Sequence, residues 1–187
     1  SSGAVIATVL TDDNGEYVVN GLAPSIYTVL VSAPDFQTNA ATVQVTSNQT
    51  VDGSIALEPD PGQITGTVLD SVGSNPISGA SVSIVNSSGT LITTVLTDPN
   101  GIFMVEGLAP DNYTVNVFAN DFQNGTVGAL VKSGQTTPVS VSLEPNPGRV
   151  TGTITPLVMN TTIQLRNVNH VLIDSVVPNQ DGTFSFN

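Results

Sequence analysis

Residues 1–62 align on residues 87–148 without a gap, at a spacing of about 86 residues and with about half of the positions identical. A chain built this way must fold the same unit more than once. The first copy reads Thr8-Val9-Leu10-Thr11-Asp12, Asn14-Gly15, Gly21-Leu22-Ala23-Pro24, Tyr27-Thr28-Val29, Asp35-Phe36-Gln37, Leu57-Glu58-Pro59 and Pro61-Gly62. The second reads Thr94-Val95-Leu96-Thr97-Asp98, Asn100-Gly101, Gly107-Leu108-Ala109-Pro110, Tyr113-Thr114-Val115, Asp121-Phe122-Gln123, Leu143-Glu144-Pro145 and Pro147-Gly148. A third copy begins after Gly148, where Val150-Thr151-Gly152-Thr153-Ile154 repeats Ile64-Thr65-Gly66-Thr67-Val68. After a short deletion, Asp181-Gly182-Thr183-Phe184 repeats Asn100-Gly101-Ile102-Phe103. The organisation expected is a partial unit over 1–62, a complete unit over 63–148 and a partial unit over 149–187. Each Pro-x-Pro-Gly, 59–62 and 145–148, is a linker stiffened by proline.

Within the complete unit the pattern predicts seven strands, at about 63–69, 80–85, 90–97, 102–106, 112–118, 127–131 and 138–143. Apolar and polar residues alternate in Ser81-Val82-Ser83-Ile84 and at Tyr113, Val115 and Val117. Asn100-Gly101 reads as a two-residue hairpin turn between paired strands. No stretch has helical periodicity. The fold class expected is all-β: tandem seven-stranded antiparallel sandwiches, one complete and two partial.

Composition narrows function by exclusion. Only Lys132, Arg149 and Arg166 are basic, and the net charge is -12. Phosphate neutralisation needs Lys and Arg, so nucleic acid is not an expected partner, nor is an anionic membrane surface. No apolar run approaches the ~20 residues of a membrane-spanning helix. There is no cysteine, hence no disulfide and no thiolate metal site. Ser1-Ser2-Gly3 shows no leader, which implies that one was removed or that the sequence is an internal piece of a longer chain.

The stretch Gly66-Thr67-Val68, Pro76-Ile77-Ser78-Gly79-Ala80-Ser81-Val82, Thr97-Asp98-Pro99-Asn100-Gly101-Ile102-Phe103, Gly107-Leu108-Ala109-Pro110 and Tyr113-Thr114-Val115 resembles the carboxypeptidase regulatory-like domain. More distantly it resembles the collagen-adhesin B-type stalk repeats. The resemblance implies a transthyretin-like or immunoglobulin-like sandwich that serves as an accessory, spacer or stalk module without catalytic residues. Stalk repeats of the B type often carry a Lys–Asn isopeptide bond, which needs a lysine in the first strand. Residues 63–69 and 149–155 contain none.

Candidate chemistry is sparse, and no enzyme is expected. Asp12, Asn14 and Glu16 space oxygen ligands in the manner of a weak calcium loop, but the second copy has Asp98, Asn100 and Ile102 in their places. A plain Asp-x-Asn-Gly turn accounts for them, and calcium is not expected. His170 is the one histidine and lacks convergent partners. Tyr17, Tyr27, Tyr113, Phe36, Phe103 and Phe122 recur at equivalent places and are read as core. Five sequons, headed by Asn48, Asn86, Asn112, Asn124 and Asn160, are candidate N-glycosylation sites.

The first copy lacks the counterparts of residues 63–86, which hold two strands, while the third copy has strands of that type. Val150, Ile154, Ile163 and Leu165 are therefore candidate assembly residues. Two readings stay open: a segment of a longer array, or C-terminal strands of one chain completing the N-terminal sandwich of another. Both lead to an extracellular, cell-surface filament or stalk whose partner is itself, joined head to tail. The alternatives are an adhesin or carbohydrate-binding module, and an accessory region of a larger secreted peptidase. The missing first-strand lysine makes one expectation measurable: intact mass should equal the summed residues, with no ammonia lost. A loss of one ammonia per repeat would contradict it.

Overall fold

The computed structural model describes residues 3–156, 158 and 160–186. Ser1 and Ser2, read above for a leader, lie outside the described residues. Strands alone form the regular structure of these residues. The first repeat holds β1 (Ser25–Val31) and β2 (Asn39–Val45). The second holds β3 (Gly62–Asp70), β4 (Ser81–Val85), β5 (Leu91–Leu96), β6 (Ile102–Leu108), β7 (Asp111–Phe118), β8 (Gly125–Val131) and β9 (Thr136–Leu143). The third holds β10 (Val150–Thr153), β11 (Ile163–Arg166), β12 (Leu172–Val176) and β13 (Thr183–Phe186).

The second repeat is a two-layer sandwich. One sheet has the order β6-β3-β9 and the other β5-β4-β7-β8. Inward side chains alternate with outward ones along each strand, as a half-buried sheet requires. Ile64 and Val68 of β3, Val82 and Ile84 of β4, Val115 and Val117 of β7 and Leu143 of β9 have essentially no exposure. At roughly 1.5–3 kcal/mol per fully buried aliphatic side chain, these residues dominate the stability of the unit. Strands β3 and β4 are adjacent in sequence, and each lies in the middle of its own sheet.

Two details depart from the expected pattern. The sandwich is not wholly antiparallel: β3 and β9, its first and last strands, pair in parallel from Gln63↔Thr136 to Asp70↔Leu143. Asn100-Gly101 is also not a hairpin between paired strands, because β5 and β6 belong to different sheets. Residues 98–102 instead make a corner from one layer to the other. Two backbone bonds close that corner: Asp98 N–H donates to Ile102 O at 2.8 Å, and Gly101 N–H to Asp98 O at 2.9 Å. Asp98 Oδ1 accepts the N–H of Asn100 and of Ile102, both at 2.8 Å. Only Gly101 takes positive φ there, at 72°. A Cβ at Gly101 would also come within 2.5 Å of Val68 O, so both φ and close approach to β3 call for glycine.

One buried hydroxyl ties the start of β4 to the far end of β5. Thr97 Oγ1 donates to Ile77 O at 2.6 Å and accepts Ala80 N–H at 2.9 Å, and the residue is 5% exposed. Its counterpart Thr11 is exposed among residues 1–62, which align on the unit from residue 87 onward. Thr97→Val keeps the shape and strands both partners, so it should cost about 2–4 kcal/mol in urea denaturation. In a protein of residues 1–187 alone, Thr11→Val should change stability by less than about 0.5 kcal/mol. Equal effects at the two positions would contradict the assignment.

Candidate assembly interface

Residues 1–62 align on the part of the unit that follows β4, so they contain no β3- or β4-type segment. The equivalents of β5, β6 and β9 fall at about 5–10, 16–22 and 50–57, and none of these segments forms a strand. Only β1 and β2 remain paired, from Ser25↔Val45 to Val31↔Asn39. They are the equivalents of β7 and β8, the one pair in the sandwich that needs neither β3 nor β4. Tyr27, Val29 and Val31 are half-buried, whereas Tyr113, Val115 and Val117 are buried. Val5, Ile6, Leu10 and Val18 are largely exposed. Gly15, the counterpart of Gly101, has nothing within 4 Å of a Cβ position.

The described residues of the third copy carry strands of the β3, β4, β5 and β6 types. Strands β10 and β13 pair from Val150↔Phe186 to Thr153↔Thr183, as β3 pairs with β6. Strands β11 and β12 pair as β4 pairs with β5. Gly182 packs on Ile154 O, 2.5 Å from a Cβ position, so the corner is rebuilt wherever a β3-type strand is present. Of the candidate assembly residues, Val150 is 48% exposed, and Ile154, Ile163 and Leu165 are half-buried. Their counterparts Ile64, Val68, Val82 and Ile84 are fully buried. Among the described residues β10 pairs with β13 alone, whereas β3 carries β6 on one edge and β9 on the other.

Between the first and second copies lies a defined joint. Strand-like bonding folds the linker back on its own module: Gln37 N–H donates to Glu58 O at 2.8 Å, Asp60 N–H to Asp35 O at 2.9 Å, and Phe36 bridges Pro59. The second copy then grips this fold with its β8–β9 loop. Ser133 Oγ reaches Asp35 O and Asp60 O, the latter at 3.1 Å, and Gly134 N–H donates to Asp60 O at 3.2 Å. Gly62 is packed so closely under this loop that a Cβ would stand 2.6 Å from Lys132 O. Sequence reading did not find this joint, because its acceptors are main-chain carbonyls that any residue offers. The retained Ser47 and Gln49, opposite Ser133 and Gln135, were the available signal.

The remaining candidates are dispersed. Asp12 Oδ1 accepts the N–H of Asn14 at 2.9 Å and of Glu16 at 2.8 Å, so its carboxylate serves its own corner. Among the described residues no three acidic or histidine side chains gather into a metal-holding group. His170 occupies the positive-φ place of a turn, at 62°, and its carbonyl accepts from Arg166 Nη1 at 2.8 Å. Asn48, Asn112, Asn124 and Asn160 are exposed. Asn86 is half-buried, and its amide oxygen accepts Thr90 N–H at 2.8 Å. Tyr113 and Phe103 are buried and Phe122 packs against the core, while Phe36 is 41% exposed.

Comparison with known proteins places these features in context. The carboxypeptidase regulatory-like domain matches residues 1–58 and 63–144. No curated protein matches the chain. Among solved structures, the Bacillus anthracis TIE protein has 20% identity and a TM-score of 0.53 over 94% of this chain. The chain spans 36% of the length of that protein, and the likeness is one of fold. The minor pilin GBS52 of Streptococcus agalactiae has 16% identity and a TM-score of 0.42, over 74% of this chain and 67% of its own. A catechol 1,2-dioxygenase of Acinetobacter radioresistens has 18% identity and a TM-score of 0.37, over 47% of this chain and 53% of its own.

The corner at Asp12 carries a pH signature. Backbone N–H donation by Glu16, then by Asn14, holds its carboxyl below the ordinary value. A depressed folded pKa stabilises the corner above the unfolded value of about 3.9, and that contribution is lost as pH falls through the folded pKa. Carboxyl NMR titration should place the Asp12 midpoint below the ordinary value. A midpoint at or above it would contradict the bonded corner.

Proposed function

The chain belongs to the carboxypeptidase regulatory-like domain family, and from that premise we propose that it is a non-catalytic segment of an extracellular, cell-surface stalk or filament. The observation that carries this reading is the parallel pairing of β3 with β9. A module whose first and last strands run parallel takes the chain in at one end and releases it at the other. The eight paired positions, seven steps apart from first to last, advance the chain by about 23 Å at roughly 3.3 Å per residue. Repetition of such a unit extends in one direction, and an antiparallel pair would return the chain to its starting end. The joint at Asp35, Asp60 and Ser133 adds fixed bonds to a proline-stiffened linker.

Negative-stain electron microscopy of the purified chain tests the stalk. Thin rods or beaded filaments are the expected result. Compact, monodisperse particles at all concentrations would overturn it.

A further inference from the structure

Three of the five sequons lie in the second copy, at Asn86, Asn112 and Asn124. Their surroundings differ. Asn86 is half-buried, and its Oδ1 accepts the Ser88 hydroxyl at 3.0 Å and Thr90 N–H at 2.8 Å, which closes the β4–β5 hairpin. Asn112 and Thr114 lie inside β7, and Thr114 is paired on both sides, with Val85 and with Gly128. That segment must unfold locally to reach a transferase. Asn124 is exposed in the loop just before β8, and β8 is the edge strand of its sheet.

A groove of matching chemistry opens beside Asn124. Its walls include Ser81, Ser83, Asn116, Phe118 and Thr126. Register explains the grouping: Ser81 stands opposite Phe118, Ser83 opposite Asn116, and Asn116 opposite Thr126. These side chains face away from the core, which Val82, Ile84, Val115 and Val117 of the same strands fill. Thr126 Oγ1 donates to Asn116 Oδ1 at 2.9 Å, which leaves the Asn116 amide group to donate to a ligand. Phe118 is 55% exposed. All of the lining side chains are uncharged. Neutral hydroxyls and amides around an aromatic ring suit a sugar, which offers hydroxyls at its rim and an apolar C–H face.

The internal repeat ties these features together. About half of the aligned positions are identical in the first two copies. Yet Asn116, Phe118, Asn124 and Thr126 stand where the first copy has Leu30, Ser32, Thr38 and Ala40. Amide, ring and sequon are present as a set in one copy and replaced as a set in the other.

We propose that Asn124 is an N-glycosylation site whose first sugars lie in this groove, against Phe118. The donor is a sugar carried on a polyprenyl phosphate. Asn124 Nδ2 attacks C1 of that sugar; the N–C1 bond forms, the C1–O bond to phosphate breaks, one amide proton is lost and the lipid phosphate leaves. Seated there, the glycan covers an exposed ring and gives the Ser83–Asn116–Thr126 row a bonded partner. The site rests on the cell-surface reading for its access to such a donor.

Glycopeptide mass spectrometry of the protein purified from the cells that make it tests attachment. The peptide containing Asn124 should carry a sugar mass, and N124Q should lose it. A bare Asn124 would overturn the proposal, and saturable binding of free oligosaccharide by that bare protein would assign the groove to a separate ligand. The seat has its own readout in thermal unfolding, as a double-mutant cycle. N124Q should lower the midpoint of the glycosylated chain, and should lower it several-fold less in the Phe118→Ser background. Equal losses in the two backgrounds would overturn the contact with Phe118. Rods by microscopy with a bare Asn124 would leave the stalk and remove this site. A glycosylated Asn124 on compact particles would do the reverse.

Discussion

Hydrogen bonding to both edges of β3 and β4 is the constraint on which this architecture depends. The two strands are consecutive in sequence, yet each is central in a different sheet. Between them they hold β6, β9, β5 and β7 in place. The chain contains its own comparison. With both strands present, the second copy closes a core in which Ile64, Val82 and Ile84 are fully buried. In residues 1–62, which align on the unit from residue 87 onward, the segments equivalent to β5, β6 and β9 form no ladders and Thr11 is exposed. Thr11 and Thr97 are the same residue in the same local sequence, so the difference between them is tertiary.

Much of this was legible in the sequence. Alternation and turn residues located β3 to β9 to within two residues at each end, because each strand is short and faces one core. The division of strands between the two sheets was hidden. The turn at Asn100-Gly101 has the residues of a hairpin and the local bonds of one, yet it joins strands in opposite layers. Local turn chemistry fixes the change of direction and not the partner. The parallel pairing of β3 with β9 was equally silent, since it joins residues 73 positions apart and leaves no mark on either strand alone. Phe36, read as core with Phe122, is 41% exposed among residues 1–62.

Polar groups in the chain act mainly on the backbone. Asp12, Asn86, Asp98 and Asn167 each turn an oxygen onto N–H groups two or four residues on. Of the residues singled out in the sequence, Asp12 and Asn86 thus hydrogen-bond to the backbone of their own turns. The same holds at the joint, where Ser133 and Gly134 address main-chain carbonyls. Such a contact tolerates wide drift in the surrounding sequence, provided that the turn geometry and the small residues persist.

The parallel pairing also decides how a module responds to tension. A pull applied through the chain draws β3 from Gly62 and β9 from Leu143, in opposite directions along their own axes. The pairs from Gln63↔Thr136 to Asp70↔Leu143 are then strained together, in shear, so rupture requires many bonds to fail at once. Neighbouring antiparallel strands pulled from one shared end would instead peel apart a bond at a time. A thread of such units has its greatest mechanical resistance along the direction in which it grows.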